Sequence, residues 1–226
     1  MKDSKTYTAE LKKFHRSLKR NSPNAQRPDC ENFLECFIYA LISENIKEKQ
    51  AQKTLKKIKR HFVDFNDLRV SRSEEIIEAL GGDNRLAEIT AARLTKALGA
   101  VFQKYNNLTL EHLKNTRKRQ AKKLLENFEG VSPFVVNYFM LTALKAHAIP
   151  LTNSMLSYLR EKQLVHPDSD DEDIEGFLTR RIRAKDGYEF YAMLRRQSES
   201  KKKLTTGKIS QRKTSKKTKC KTKKKK

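Results

Sequence analysis

Apolar residues recur at intervals of three and four positions along most of the chain, and this spacing constrains the fold more than any other feature. The pattern is clearest in residues 30–43, whose apolar positions are Phe33, Leu34, Phe37, Ile38, Leu41 and Ile42. They form one broad face, which predicts a central buried helix capped by Asp29. No segment alternates apolar and polar residues as a half-buried strand does, and no Asn-Gly hairpin turn occurs. The sequence therefore predicts an all-α fold.

The same spacing predicts a series of further helices. The longer ones cover residues 4–19, 47–62, 84–105, 171–182 and 185–198, and short ones lie near residues 65–69 and 72–80. Gly81 and Gly82 follow the last of these, and glycine is the usual residue where a helix ends.

Residues 201–226 form a very basic tail. The chain has 50 Lys and Arg against 27 Asp and Glu, a net charge of +23, and 14 of the basic residues but none of the acidic ones lie in this tail. The first 200 residues therefore keep +9. With one Leu, one Ile and no aromatic residue, the tail cannot bury enough apolar surface to offset the entropy of ordering it. We therefore expect it to be disordered.

Such a tail is suited to neutralising phosphates and releasing counterions from a nucleic acid. The alternatives are a solubilising or nuclear-targeting tail and, with less support, a tail that binds an anionic membrane surface. Because the body is also basic, nucleic acid is the favoured partner. The tail does not distinguish DNA from RNA, and the sequence gives no oligomeric state.

Several classes of protein are excluded by what the sequence lacks. No run of about 18 apolar residues could span a membrane, and the N-terminus lacks the apolar core of a signal peptide. Cys30, Cys36 and Cys220 are too few for a disulfide framework and include no C-x-x-C pair. We expect Cys30 and Cys36 to be small buried apolar residues in an intracellular protein of the cytoplasm, nucleoid or nucleus, with no membrane partner.

Residues 117–134 predict a helix-hairpin-helix. One helix ends at Phe128, Gly130 and Val131 make a tight turn, and Pro133 stands at the first position of the next helix, where its missing N–H is tolerated. Such a turn presents backbone N–H groups at a positive helix end, which suits a phosphate. The alternative is an ordinary pair of packed helices.

Two lysines lead directly into this turn. Lys122 and Lys123 belong to the basic run RKRQAKK, and they are the best candidates in the body for further phosphate contacts. The alternative is a solvated helix face that contacts nothing.

Four segments resemble a known family in order and spacing. They are CFIYALISENIKE, NRLAEI, LENFEGVSPFVVN and IPLTNSML, and the resemblance covers about 170 residues. The family is the endonuclease III branch of the helix-hairpin-helix (HhH-GPD) DNA glycosylases. The resemblance implies two helical lobes with DNA in the groove between them, the hairpin on the DNA backbone and a flipped base in a cleft. The chain would then comprise an N-terminal helix and linker (1–28), this two-lobed domain (29–199, hairpin near 128–134) and the basic tail (200–226).

The sequence departs from the family at both catalytic positions. The family's Asp, whose charge stabilises an oxocarbenium-like state, corresponds to Thr152, and the adjacent Asn153 is also neutral. The nucleophilic Lys of lyase members, four residues beyond the first hairpin Gly, corresponds to Phe134, which cannot form a Schiff base. No catalytic residue is therefore predicted.

The resemblance also bears on binding and cofactors. Ser132 replaces the second Gly of the hairpin, which we expect to weaken its hold on the DNA backbone. Asn45 lies where relatives often carry a Gln that fills the gap left by a flipped base, although a surface Asn is an equal alternative. The C-terminal four-Cys signature is absent, so no iron–sulfur cluster is expected. Residues 168–175 are acidic but carry Asp173 where a calcium loop needs Gly, so no metal site is expected either.

Three functions follow as hypotheses. The leading one is a protein that binds double-stranded or distorted DNA through the hairpin, cleft and tail and has lost glycosylase and lyase catalysis. The second is a diverged, active DNA glycosylase that uses a surrogate carboxylate, for which Glu129 and Glu48 are the candidates. The third is an RNA- or ribosome-associated binding protein.

Overall fold

The computed structural model describes residues 4–21, 32–82 and 84–200, and helices make up most of them. The α-helices are α1 (Ser4–Asn21), α2 (Phe33–Ser43), α3 (Glu48–His61), α4 (Phe65–Val70), α5 (Ser73–Leu80), α6 (Arg85–Tyr105), α7 (Lys118–Glu126), α8 (Pro133–Thr142), α9 (Asn153–Glu161), α10 (Asp171–Arg181) and α11 (Gly187–Ser200). Short 3-10 turns occur at Glu111–Asn115 and Ala184–Asp186. These ranges contain no strand, which confirms the all-α prediction.

Helix α2 lies at the centre, as predicted. It packs against α3, α6 and α8, and Phe37 and Ile38 are completely buried. The ring of Phe37 contacts Phe128 and Phe139 edge to face, and this arrangement stabilises the core beyond what the burial of the three rings contributes.

The start of α2 differs from the prediction. Its cap is Asn32, whose side-chain oxygen accepts a hydrogen bond from the Glu35 N–H at 2.8 Å, and Asp29 lies outside the described residues. Either residue type can cap a helix. Because Asn32 stands immediately before the buried run of α2, its side chain can satisfy one of the free N–H groups in the first turn, that of Glu35.

Helix α5 packs against both α3 and α6, and α4 packs against α6, whereas α11 packs against α1 and α9. Leu11 and Leu18 of α1 belong to the same apolar core as Phe37 and Leu194. The expected boundary between residues 28 and 29 lies outside the described residues, and so does the basic tail beyond Ser200. No helix within the described ranges has both the length and the apolar character needed to cross a membrane.

Cys36 is buried, which confirms the expectation for this position, and it takes part in a disulfide bond. Cys30 and Cys220 lie outside the described residues.

Candidate nucleic-acid interface

The hairpin turn joins α7 to α8 at Gly130, whose φ of 82° lies in the left-handed region. The Val131 N–H donates to the Phe128 carbonyl at 3.3 Å and closes the turn. Ser132 caps α8, because its hydroxyl accepts a hydrogen bond from the Val135 N–H at 3.3 Å. Since Pro133 has no N–H, the turn leaves the N–H groups of Ser132 and Phe134 without a partner among the described residues. These two donors stand at the positive end of a ten-residue helix.

Glycine is required at position 130 because the hairpin touches α6 closely. A Cβ there would lie 2.9 Å from the Arg93 carbonyl oxygen and 3.2 Å from Lys96 Cβ. The Arg93 side chain also donates from Nε to the Gly130 carbonyl oxygen at 3.0 Å. The hairpin is thus fixed against α6 both by contact and by a hydrogen bond.

Glu44, at the end of α2, connects the hairpin to the rest of the site. Its carboxylate accepts a hydrogen bond from the Ser132 hydroxyl at 3.0 Å and forms an ion pair with Arg93. The side chain that replaces the second hairpin glycine therefore has two structural roles, as a helix cap and as a donor to Glu44.

The two lysines that precede the hairpin, Lys122 and Lys123, differ in their surroundings. Lys122 lies 3.8 Å from Glu126, and both line a cavity of about 350 Å³ together with Glu172 and Glu175. Burial raises the pKa of Glu175, and the nearby charge of Lys122 opposes that rise. The positive charge of Lys122 is therefore partly offset by acids. Lys123 is exposed and forms no ion pair with a described residue, so it is the better placed of the two to meet a phosphate.

A polar cleft of about 360 Å³ lies next to the hairpin. The ends of three distant segments line it, and the side chains that matter below are Glu44, Asn45, Lys47, Thr152, Asn153 and Glu199. The structure thus brings together the three cleft positions that the sequence resemblance singled out, which are Asn45, Thr152 and Asn153.

Thr152 occupies the N-cap of α9. Its hydroxyl accepts a hydrogen bond from the Met155 N–H at 3.3 Å and is hydrogen-bonded to the Ser154 hydroxyl at 2.9 Å. The residue is buried and neutral. It can cap a helix, but it brings no negative charge to the cleft.

Phe134 is buried inside the protein rather than exposed in the cleft. Its ring lies 5.9 Å from the guanidinium carbon of Arg195 and 5.9 Å from the ring of Tyr138. An aromatic face beside a guanidinium is a favourable cation–π contact. An ammonium group at this position would instead meet a buried positive charge.

Arg195 is buried and forms part of the cleft wall. Nη2 donates to the carbonyl oxygens of Ser43 at 2.6 Å and Ile46 at 2.9 Å, and Nη1 donates to the Tyr191 hydroxyl at 2.6 Å. Burial raises the pKa of Tyr191 to about 12, so this phenol stays neutral at physiological pH. The charge partner of the guanidinium is Glu199, which accepts from Nε at 2.7 Å.

The carboxylates of the cleft are not the ones proposed from the sequence. Glu129 is exposed and paired with Lys96 at 2.7 Å, and Glu48 does not line the cleft. Burial raises the pKa of Glu48, and its backbone N–H donates to both carboxylate oxygens of Glu199 at 3.1 Å. Glu44 and Glu199 line the cleft instead. Within the described ranges, no cluster of three or more His, Cys, Asp or Glu side chains could hold a metal ion.

The helix order, with a glycine hairpin beside a polar cleft, is the fold of the endonuclease III-like helix-hairpin-helix DNA glycosylases. An endonuclease III trapped as a covalent intermediate with DNA matches 83% of this chain and 84% of its own, with a TM-score of 0.66 and 15% identity. A 3-methyladenine DNA glycosylase of H. pylori, bound to 1,N6-ethenoadenine, matches 89% of this chain and all of its own, with a TM-score of 0.63 and 18% identity. These likenesses establish the fold.

One curated relative is similar in sequence. It is a protein of Arabidopsis thaliana, described provisionally as a DNA glycosylase, and it is 24% identical over 154 residues. The match covers 67% of this chain and 52% of the relative, so the chain spans about half the length of that protein. No protein-family model matches the sequence.

Proposed function

We propose that this protein binds duplex DNA, with the hairpin on the phosphate backbone and the cleft receiving an extrahelical nucleotide, and that it does not remove the base. The observation that carries the proposal is the junction at Glu44. This residue lines the cleft and also accepts the hydrogen bond of Ser132 in the hairpin. A DNA backbone bound at the hairpin would therefore pass beside a polar cleft that is large enough to receive a base.

The binding half of the proposal has two supports besides the hairpin donors. Structures with this fold include endonuclease III bound to DNA in covalent and non-covalent complexes. The chain also carries a net charge of +23, which favours a polyanion. Extruding a nucleotide costs a few kcal/mol of stacking, and least at a mismatched or damaged position. We therefore expect duplexes with such a position to bind more tightly than intact ones.

The non-catalytic half of the proposal concerns charge. A positive, oxocarbenium-like state needs a negative group placed in advance, and Thr152 supplies a neutral hydroxyl that is already engaged as a cap. A covalent intermediate needs an accessible amine, and Phe134 supplies a buried ring. The proposal also includes no iron–sulfur cluster, because the four-Cys signature of the branch is missing. Purified protein should therefore be colourless and contain no iron.

A second candidate function is base removal with a surrogate carboxylate, and the presence of Glu44 and Glu199 in the cleft favours it. Both carboxylates are already engaged, however. Glu44 is held by Arg93 and Ser132, and Glu199 is held by Arg195 and the Glu48 N–H. A carboxylate whose oxygens accept several hydrogen bonds is less available to take a proton from water.

Binding is tested by replacing single exposed lysines in the full chain and measuring duplex affinity at several salt concentrations. Lys123→Gln should weaken binding equally for all sequences and reduce the slope of log affinity against log salt by about 0.9, the value for one phosphate contact. Lys122→Gln should have a smaller effect because acids surround it. Lys162→Gln is the matched control, since Lys162 is exposed at the opposite end of α9 from the cleft. Equal effects of Lys123→Gln and Lys162→Gln would refute the hairpin interface. An RNA duplex of equal length that binds as well as DNA would favour the RNA-associated function.

Catalysis is tested by single-turnover incubation of excess protein with duplexes that each carry one damaged base. We expect no base release. Release that disappears in Glu44→Gln or Glu199→Gln would overturn the non-catalytic proposal and would establish the surrogate carboxylate.

A further inference from the structure

The exposed face of α3 carries a row of positive charges. Four basic residues stand four, three and four positions apart, so they lie along one side of the helix. These residues, which we call the α3 stripe, are Lys49, Lys53, Lys56 and Arg60. All four are exposed, and none forms an ion pair with a described residue. The opposite side of α3 is apolar and packs against α2 and α5 through residues such as Ala51 and Ile58.

Two other cations of α3 have structural partners and are not part of the stripe. Lys57 donates to the carbonyl oxygen of Glu78 at 2.8 Å, and Lys59 forms an ion pair with Glu35 at 3.2 Å. The charges of the α3 stripe have no such partners, and like charges three or four positions apart destabilise a helix. A polyanion bound along the α3 stripe would remove this repulsion.

The α3 stripe begins at the cleft. Lys47, the residue before α3, lines the cleft and is exposed. The Glu48 N–H, the first of α3, donates to the carboxylate of Glu199 in the cleft wall at 3.1 Å. From this point α3 extends over 14 residues, and the α3 stripe covers about 16 Å of that length. Since one strand of DNA carries a phosphate about every 3.4 Å along the helix axis, the stripe matches about five base pairs beside the cleft.

Helix α1 carries a similar row of charges, so charge alone does not distinguish α3. We call these residues the α1 stripe; they are Lys5, Lys12, Arg16 and Arg20. They are also exposed and form no ion pair with a described residue. Helix α1, however, lies away from the cleft. Lys19 pairs with Asp186 at 2.8 Å just before α11 begins, whereas Glu199 lines the cleft at the end of α11. The length of α11 separates these two points by about 20 Å.

We propose that the α3 stripe binds the phosphate backbone of the duplex on one side of the extruded nucleotide, so that the DNA is held both at the hairpin and at α3. This inference rests on the proposed function, and it adds a surface separate from the hairpin and from the basic tail. Lysine and arginine side chains neutralise phosphates without reading bases. The α3 stripe therefore raises affinity and sets the orientation of the duplex, and it does not select a sequence.

The test compares two full-length variants that lose the same four charges. The α3 variant carries Lys49→Gln, Lys53→Gln, Lys56→Gln and Arg60→Gln, and the α1 variant carries Lys5→Gln, Lys12→Gln, Arg16→Gln and Arg20→Gln. Because the eight residues are exposed and Gln is a good helix former, both variants should keep the urea midpoint of the original chain. Affinity is measured at several salt concentrations for a duplex of about 25 base pairs with one damaged base at its centre.

The α3 variant should lose up to about 3.6 from the slope of log affinity against log salt, since each phosphate contact contributes about 0.9. That loss corresponds to on the order of a 100-fold change in affinity between 50 and 200 mM salt. The α1 variant has the same net charge and should lose much less. Equal losses would overturn the inference, because α3 would then act through net charge alone. A larger loss in the α1 variant would also overturn it and would leave the α3 stripe as a solvated face.

A second comparison locates the contact along the DNA. Two further duplexes carry the same damaged base about four base pairs from one end or from the other, so each keeps a long arm on one side only. Because α3 leaves the cleft in one direction, the loss in the α3 variant should occur with only one of these duplexes. Losses of equal size with both would contradict a contact on one side of the extruded nucleotide.

The proposed function is judged separately by Lys123→Gln in the original chain. If Lys123→Gln weakens binding while the two stripe variants lose equally, the hairpin binds DNA and the α3 inference fails. If Lys123→Gln has no effect while the α3 variant still loses more than the α1 variant, the hairpin interface of the proposed function fails and the α3 surface remains.

Discussion

Gly130→Ala tests whether the hairpin is fixed against α6. A side chain at φ 82° adopts a strained backbone conformation, which costs roughly 1–3 kcal/mol. The new Cβ would also lie 2.9 Å from the Arg93 carbonyl oxygen, within a helix that cannot easily move. Overpacking of this kind adds typically about 1–3 kcal/mol. We therefore expect the free energy of unfolding to fall by about 2–6 kcal/mol.

Gly81→Ala is the matched control within the same chain. Gly81 has a φ of 120°, further from the favoured left-handed region, but a Cβ there would meet no atom within 4 Å. Its backbone strain should be at least as large as at Gly130, and its cost should stay within about 1–3 kcal/mol. Any excess loss in Gly130→Ala therefore measures the contact with α6.

The assay is urea unfolding of the original chain and both variants. Their free energies of unfolding are compared from the urea midpoints, with one common slope of free energy against urea concentration. Gly130→Ala should also weaken DNA binding at temperatures where it is folded, because the bond from Arg93 to the Gly130 carbonyl is disturbed. Gly81→Ala should leave binding unchanged. Equal losses of stability in the two variants would refute the tight approach between hairpin and α6.

Three further changes have defined outcomes. Thr152→Asp keeps a good helix cap, so the free energy of unfolding should change by less than about 1 kcal/mol. The new negative charge in the cleft should produce base release in a single-turnover assay in which the original chain releases none. Phe134→Lys places an ammonium beside the guanidinium of Arg195 and should lower the free energy of unfolding by about 3–5 kcal/mol, whereas Phe134→Leu should lower it by under about 1.5 kcal/mol. Phe134→Lys should form no covalent adduct with DNA that borohydride can trap. Burial lowers the pKa of His15 below its usual 6.5, with the charge of Lys19 as a further cause, so the unfolded chain takes up the proton first and acidification through that pH lowers stability. His15→Phe should make stability depend less on pH between about 7.5 and 5.5, and an unchanged dependence would show that His15 is not responsible.

Most of the fold was predictable from local sequence signals. Helices α3, α6, α10 and α11 begin and end within two residues of the predicted bounds, because apolar spacing and capping residues act over a single turn. The start of α2 was not predictable in the same way. Asp29 and Asn32 are both good caps, and tertiary packing determines which of them begins the helix.

The candidate site was predictable only in part. The family resemblance placed Asn45, Thr152 and Asn153, and the structure shows that they share one cleft. The resemblance did not place Glu199 in the cleft. The spacing of residues in α2 contains no information about a residue of α11 that packs beside its end. One local signal was available, since Arg195 and Glu199 stand four positions apart in α11. A buried arginine requires a partner, and the next turn of the helix supplied one.

The surroundings of the basic residues were the least predictable feature. Lys122 and Lys123 are neighbours in sequence, yet the first faces Glu126 and Glu175 and the second faces solvent. This difference arises because α10 packs its acids beside one face of α7, and the sequence of α7 alone contains no information about that contact.

Glu44 has a consequence for how the protein responds to occupancy. One carboxylate accepts the hydrogen bond that holds Ser132 and also faces the cleft. A nucleotide that draws this carboxylate toward itself weakens its bond to the hairpin, and a phosphate that reorients Ser132 alters the carboxylate that the cleft presents. Any such coupling free energy is reciprocal by thermodynamic necessity. Under the proposed function, a DNA backbone at the hairpin therefore changes the affinity of the cleft for an extruded base by the same factor as the base changes the affinity for the backbone.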